Sequence, residues 1–266
     1  MPLIDRTAFG RFAPKATPTI TDAVVIRADD VLPKWGITTA GRLWMVMAMM
    51  DVESAHFTTV FENLNYSAEA LRKLWPTHFS EAQAQQYGRT ASHPADQRVI
   101  ANLAYGDRMG NRGSNTDDGW LCRGTGLLGT TGLSGFTKLA KALGTSVDDT
   151  RARLTDPQHM LECAVATFSA WGCLPFADRG DVEGCTLLIN GGTNGLADRK
   201  DGYARAKAIW PTWSASPPMA AAKPPVVTAT VTYQQPTAPN PREPAPALPK
   251  QTWGDWFRQA FFARKA

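Results

Sequence analysis

Two glutamates, Glu53 and Glu62, stand nine residues apart in the stretch MDVESAHFTTVFENLNYSA, residues 50–68. Glu53 falls in the last turn of a long apolar helical pattern, and Glu62 opens a polar loop that carries an aromatic residue. Two carboxyl groups in unlike surroundings are what cleavage of a glycosidic bond requires. One stays protonated to hand its proton to the leaving oxygen; the other is ionised, to activate water or attack the sugar. A carboxyl group on a mostly apolar helix is desolvated, which favours its protonated form and suits the donor. The plainer alternatives are a solvated glutamate at a helix end for Glu53 and a helix-capping group for Glu62.

The elements that must hold this pair are helices. Gly36-Ile37-Thr38-Thr39 is a helix start, with Thr38 or Thr39 as N-cap, and Leu43, Trp44, Val46, Met47 and Met50 recur at helical spacing up to Glu53. A short helix is expected over 21–32. Ser67 caps a helix over 68–75 that Pro76 stops, and further helices are expected over 81–87 and 95–105, the latter amphipathic through Val99, Ile100, Leu103 and Ala104. Residues 106–119, rich in Gly, Asn and Asp, read as a surface loop. WLCRGTGLLGTTGLSG (120–135) has five glycines and reads as a short hairpin or a close-packed turn with backbone open to a ligand. Helices follow over 136–143, 147–153, 157–171 and 181–189, then a tight loop over 190–195 and a last helix over 197–209. The fold class expected is mainly α.

Four segments are expected: a loosely held N-terminal arm over 1–20, a catalytic domain over 21–210, a linker over 211–250 and a tail helix over 251–266. Eleven of the 19 prolines lie between 211 and 249 among Ala, Thr and Ser, the composition of a semi-extended linker. In the tail, Trp253, Trp256, Phe257, Ala260 and Phe261 share one helical face.

Composition narrows the function classes. The 266 residues are 43% hydrophobic and 20% charged, ordinary for a globular protein. The net charge of +4 is carried by residues 213–266, with six basic and two acidic side chains, leaving 22 of each before them. A neutral body argues against nucleic-acid binding. The basic aromatic tail suits an anionic membrane surface or a docking partner. The N-terminus has no apolar core of a Sec signal, and no run of about 18 apolar residues is present. Cys122, Cys163, Cys173 and Cys185 show no CxxC spacing and read as reduced thiols; His56, His78, His93 and His159 form no HExxH pattern. No metal and no cofactor are expected.

Three motifs carry a family resemblance. ENLNYSAEALRKLWPTHF (62–79), IANLAYGDRMGNRG (100–113) and INGGTNGLADRKDGYARA (189–206) are similar to phage and bacterial members of glycoside hydrolase family 19, chitinases and peptidoglycan-cleaving lysozymes. The resemblance covers roughly residues 20–210 and is stronger to the phage endolysin branch than to plant chitinases. It implies a lysozyme-like, two-lobed helical domain with a cleft and an inverting mechanism without metal or covalent intermediate. It further implies Glu53 as general acid and Glu62 as general base. Thr131 would help hold the attacking water, Asn190 would position substrate, and Arg199 would pair with the catalytic carboxylates. Read from the residues alone, Thr131 can simply bond backbone, Asn190 can cap the helix before it, and Arg199 can form a surface ion pair. The chain departs from the family pattern at Val52, in place of His, and at Ala55-His56, in place of two glycines. Thr125 replaces Arg, and Gly129 replaces Gln, which removes a polar side chain from the cleft floor.

The function expected is a peptidoglycan hydrolase, an endolysin or virion-associated lysozyme that cuts β-1,4 bonds of the glycan strand as a monomer. Chitinase is the second enzymatic reading, and a non-catalytic glycan-binding particle protein is the reading from another class. Without a Sec signal, the route to the periplasm and wall is expected to be a holin or the virion itself.

Overall fold

Helices begin where the sequence supplies caps. The side chains of Thr17, Thr39, Ser67, Asp96 and Asp181 each accept a hydrogen bond from a first-turn backbone N–H, and Ser80 with Gln83 closes a reciprocal capping box. The computed structural model describes residues 2–216; the linker beyond 216 and the tail over 251–266 lie outside the described residues. Thirteen helices follow in chain order among those residues. They are α1 (Arg6–Phe12), α2 (Pro18–Lys34), α3 (Ala40–Glu53), α4 (Ala68–Leu74), α5 (Glu81–Tyr87), α6 (Gln97–Tyr105) and α7 (Asp118–Leu121), then α8 (Gly132–Leu143), α9 (Val147–Arg153), α10 (Met160–Ala170), α11 (Leu174–Asp178), α12 (Val182–Asn190) and α13 (Leu196–Ile209). The fold is mainly α, as the sequence predicts, and is consistent with a lysozyme-like helical domain.

The apolar side chains sort into two bodies. The larger centres on α3, whose residues 45–50 are all buried, and takes in α1, α2, α10 and α13; a satellite cluster under α8, α9 and α10 joins it through Trp35 and Trp171. The smaller is formed by α4, α5 and α6 around Leu71, Trp75, Phe79, Ile100 and Tyr105. Between them runs the glycine-rich segment, folded as a minimal hairpin. Thr125 pairs antiparallel with Thr130 and, on its other side, with Phe61. Glu62 N–H donates to Gly124 O at 2.9 Å and Gly126 N–H to Val60 O at 2.8 Å. Thr125, where the family pattern has Arg, is buried and turns its hydroxyl onto Arg123 O at 2.9 Å.

The structure corrects three expectations. Residues 1–20 are no loose arm: α1 places Ile4, Phe9 and Phe12 in the main core, with Asp5 capping the helix through Ala8 N–H. Helix α8 starts at Gly132 rather than 136, and α7 and α11 are short helices in stretches too brief to show a period. The body also continues past residue 210, since Trp213 Nε1 donates to Leu3 O at 2.7 Å and Ala215 N–H to Thr38 O at 3.2 Å.

The chain leaves Glu53 through an unusual turn. Ala55, His56 and Phe57 are all left-handed, with φ of +50°, +63° and +60°. Each such residue costs an L-amino acid about 1–2 kcal/mol. Ser54 offsets part of this by donating to Met50 O at 2.6 Å and accepting from Phe57 N–H at 2.9 Å. The Phe57 ring is fully buried, edge-on to Phe9 with centroids 5.2 Å apart, and its carbonyl accepts from Thr17 N–H at 3.0 Å. The N-terminal helix thus clamps the turn that redirects the chain from Glu53 towards Glu62.

Two substitutions test that clamp by urea unfolding. Phe9→Ala is expected to destabilise by about 3–5 kcal/mol, the cost of emptying a buried aromatic site. Ala55→Gly relieves the left-handed penalty and loses about 0.4–1 kcal/mol to the freer unfolded chain, so a net gain of about 0.5–1 kcal/mol is expected.

Candidate active site

Helix α13 lies along α3, and small residues let the two approach, Gly202 against Ala48. Two ion pairs cross the contact. Arg205 Nη2 donates to Asp51 Oδ2 at 2.6 Å, and the buried Asp51 also meets His56 Nδ1 at 3.2 Å. Two residues further along α3, Glu53 Oε1 accepts from Arg199 Nη2. This second pair is nearly sealed, with side-chain exposures of 2% for Arg199 and 5% for Glu53. Arg199 Nη1 donates to Asn194 O at 2.6 Å, and the Asn190 amide braces the same loop by donating to Asn194 O at 3.3 Å and Gly192 O at 3.4 Å.

Glu53 is therefore buried as the sequence predicts, but not in apolar surroundings: its neighbour is a guanidinium held by the 190–195 loop. Arg199 is buried, so the surface ion-pair alternative is excluded. Asn190 is also buried, and the hydrogen bonds it makes run to its own loop. It acts here on Arg199 through Asn194 O.

Glu62 is held from the small body and from the hairpin. Tyr105 Oη, at the end of α6, donates to Oε1, and Gly124 N–H in the hairpin donates to Oε2 at 3.1 Å. Two donors aimed at the oxygens make the setting an ionised carboxylate needs. Burial first, and then the charge of Glu62, hold the Tyr105 phenol well above its usual value, so it remains a donor. Arg123 stands close by, its guanidinium 3.6 Å from the Trp120 ring centroid and 4.9 Å from that of the exposed Phe61. Burial pushes Arg123 down, and the charge of Glu62 works against that shift.

The hairpin meets both carboxyl groups. At its start, a Cβ on Gly124 would stand 3.3 Å from Glu62 Oε2 and 3.4 Å from Thr131 Oγ1, so Thr131 lies beside the Glu62 carboxylate. At its tip, a Cβ on Gly129 would stand 3.1 Å from Glu53 Oε2, and its φ of +58° disfavours any side chain. Gly129, where the family pattern has Gln, presents no side chain to Glu53 Oε2. Thr131 Oγ1 donates to Gly129 O at 2.7 Å, which uses its only proton and leaves its lone pairs to accept. A depression of about 240 Å³ opens over Glu53, with Gly129, Thr131, Lys138 and Trp171 on its walls.

Tyr105 and Arg123 escaped the sequence reading. Tyr105 ends an amphipathic helix just before a Gly-Asn-Asp loop, inside a motif that carries the family resemblance, and that position was the available signal. Arg123 had no signal beyond its place between Trp120 and the glycines.

A buried acid paired with arginine, a second carboxylate held by two donors and a glycine-rich hairpin joining them define a site fitted to acid–base cleavage of a glycosidic bond. A Haemophilus influenzae protein named as a glycosyl hydrolase family 19 domain-containing protein is 30% identical to this chain over 199 residues, 74% of the chain and 92% of that protein. No family model matches the chain. That relationship is sufficient: the chain belongs to glycosyl hydrolase family 19 and is a glycoside hydrolase.

Removing one member of a buried ion pair strands the other. Arg199→Leu is expected to destabilise the protein by about 3–5 kcal/mol, whereas Arg199→Leu combined with Glu53→Leu restores most of that loss, as an apolar pair of similar volume does. Chemical denaturation of the single and double variants checks this.

Proposed function

We propose that the protein is a peptidoglycan hydrolase of the phage endolysin type, cutting β-1,4 bonds of the glycan strand with inversion. The observation that supports it most is the hairpin that touches both carboxyl groups, Gly124 N–H on Glu62 and Gly129 against Glu53 Oε2.

The roles follow from which atoms are already engaged. Arg199 offers only donors, so the Glu53 oxygen facing it, Oε1, must remain an acceptor. When Glu53 takes up a proton, as the donor role requires, that proton sits on Oε2, the atom facing Gly129, and passes from there to the leaving glycosidic oxygen. Glu62, ionised between Tyr105 and Gly124, takes a proton from water. Thr131, its own proton committed to Gly129 O, accepts the water's other hydrogen and turns the lone pair towards the anomeric carbon. Asn190 acts by holding the loop that holds Arg199. Inverting chemistry places the two carboxyl groups about 6.5–9.5 Å apart, leaving room for that water. No cofactor enters this scheme. The enzyme works as a monomer on the wall, which it reaches through a holin lesion or on the particle, with residues 251–266 engaging a membrane surface or a phage protein.

Glu53→Gln is expected to lower the rate of lysis of outer-membrane-permeabilised cells by about 10²–10⁴-fold while unfolding remains cooperative. Near-wild-type lysis would remove Glu53 from the mechanism. Mass spectrometry of digested peptidoglycan should show the glycan strand cut, and proton NMR should show the α-anomer first. Release of sugars from chitin alone would make the enzyme a chitinase instead.

A further inference from the structure

The depression over Glu53 holds a second charged side chain that the acid–base scheme leaves unused. Lys138 lies on the exposed side of α8, one turn after Ser134, and both residues line the depression. Its Nζ stands 4.2 Å from the centroid of the Trp171 ring, which lines the same wall. The other lining residues are neutral except Glu53, whose charge is already met by Arg199. Among the described residues Lys138 makes no ion pair. The depression therefore offers an incoming sugar one uncommitted positive charge. The indole face limits where that ammonium can go, because a cation is attracted to the ring quadrupole within about 6 Å of its centroid.

A homopolymer of N-acetylglucosamine is uncharged and has nothing for such a group. The glycan of peptidoglycan differs at every second sugar, where the oxygen at C3 carries a lactyl ether. That substituent presents a carboxylate when free, and a peptide bearing carboxylates when substituted. We propose that Lys138, positioned by Trp171, is a specificity residue that binds a carboxylate carried on the C3 substituent of the sugar seated over Glu53. This rests on the reading of the site as a peptidoglycan hydrolase and names the chemistry by which it selects that glycan. An ammonium–carboxylate hydrogen bond is among the stronger polar contacts, while an exposed pair is weakened by water and salt. Its loss is thus expected to cost about tenfold in rate at low substrate.

The test compares wild type, Lys138→Met and Lys138→Arg on four substrates. These are intact peptidoglycan, glycan strands stripped of peptide by an amidase, the same strands with their carboxyl groups converted to amides, and neutral N-acetylglucosamine hexamer. Lys138→Met should lower kcat/KM about tenfold on a charged substrate, mainly through KM, with the ratio to the amidated strands falling by the same factor and Lys138→Arg recovering most of it. Loss on stripped strands assigns the contact to the lactyl carboxylate; loss confined to intact peptidoglycan assigns it to the peptide. Equal activity of Lys138→Met and wild type on both charged substrates, or an equal loss on charged and amidated strands, overturns the proposal. A wild-type enzyme that cuts the hexamer and neither form of peptidoglycan instead overturns the underlying reading.

Discussion

The buried pair of Glu53 and Arg199 constrains the rest of the molecule. Taking two ions out of water costs several kcal/mol for each, and their attraction makes this good only when the remaining donors and acceptors are also satisfied. Arg199 meets that condition in part: Nη1 donates to Asn194 O, which Asn190 also holds, while its buried Nε has no partner among the described residues. The loop over 190–195 therefore has to be clamped, α13 has to lie close on α3, and Gly202 opposite Ala48 makes the approach sterically open. Asp51 and Arg205 repeat the arrangement further along the same two helices and fix their register.

The same pair gives the site its asymmetry. Two carboxyl groups do opposite work only if their surroundings differ, and here the groups that face them differ in kind. Glu62 has a donor on each oxygen, one from the small body and one from the hairpin. Glu53 has Arg199 at Oε1, and its Oε2 faces the tip of the hairpin at Gly129. The hairpin is thus more than a spacer. It donates to one carboxylate at Gly124, clears space at the other at Gly129, and places Thr131 beside the first.

The sequence made the helical skeleton legible wherever caps and period agreed. Thr39 with the apolar run to Met50 gave α3 and placed Glu53 at its end, and Ser67 with Pro76 bounded α4. The glycine-rich segment was legible as a short hairpin or a close-packed turn, although its pairing with Phe61 was not, because a single bridge leaves no alternation to read. Arg199 and Asn190 came into view through a motif, and the motif carried no geometry. That Arg199 is sealed against Glu53, 146 residues earlier in the chain, is a tertiary fact that no local pattern encodes. Helix α1 was misjudged for a related reason. A seven-residue helix shows too little period to stand out, and its burial depends on a surface made by Phe57 and α13.

The departure at Ala55-His56 shows how such distant contacts let the chain differ from its family. Glycines adopt left-handed backbone freely, and the family pattern has two of them after the acid. This chain makes a left-handed turn without them, at φ of +50° and +63°, so the geometry is imposed from outside the turn. Ser54 closes it from within, while Phe9, Phe12 and Thr17 hold Phe57 from the N-terminal segment. His56 gains in exchange a contact with Asp51, the residue that also anchors Arg205. The turn thereby joins the α3–α13 ion-pair system. A segment that looks dispensable in sequence becomes the support for the direction in which the chain leaves Glu53 and arrives at Glu62. Strain of this kind persists only where the surrounding packing over-determines it, and here that packing comes from the first seventeen residues.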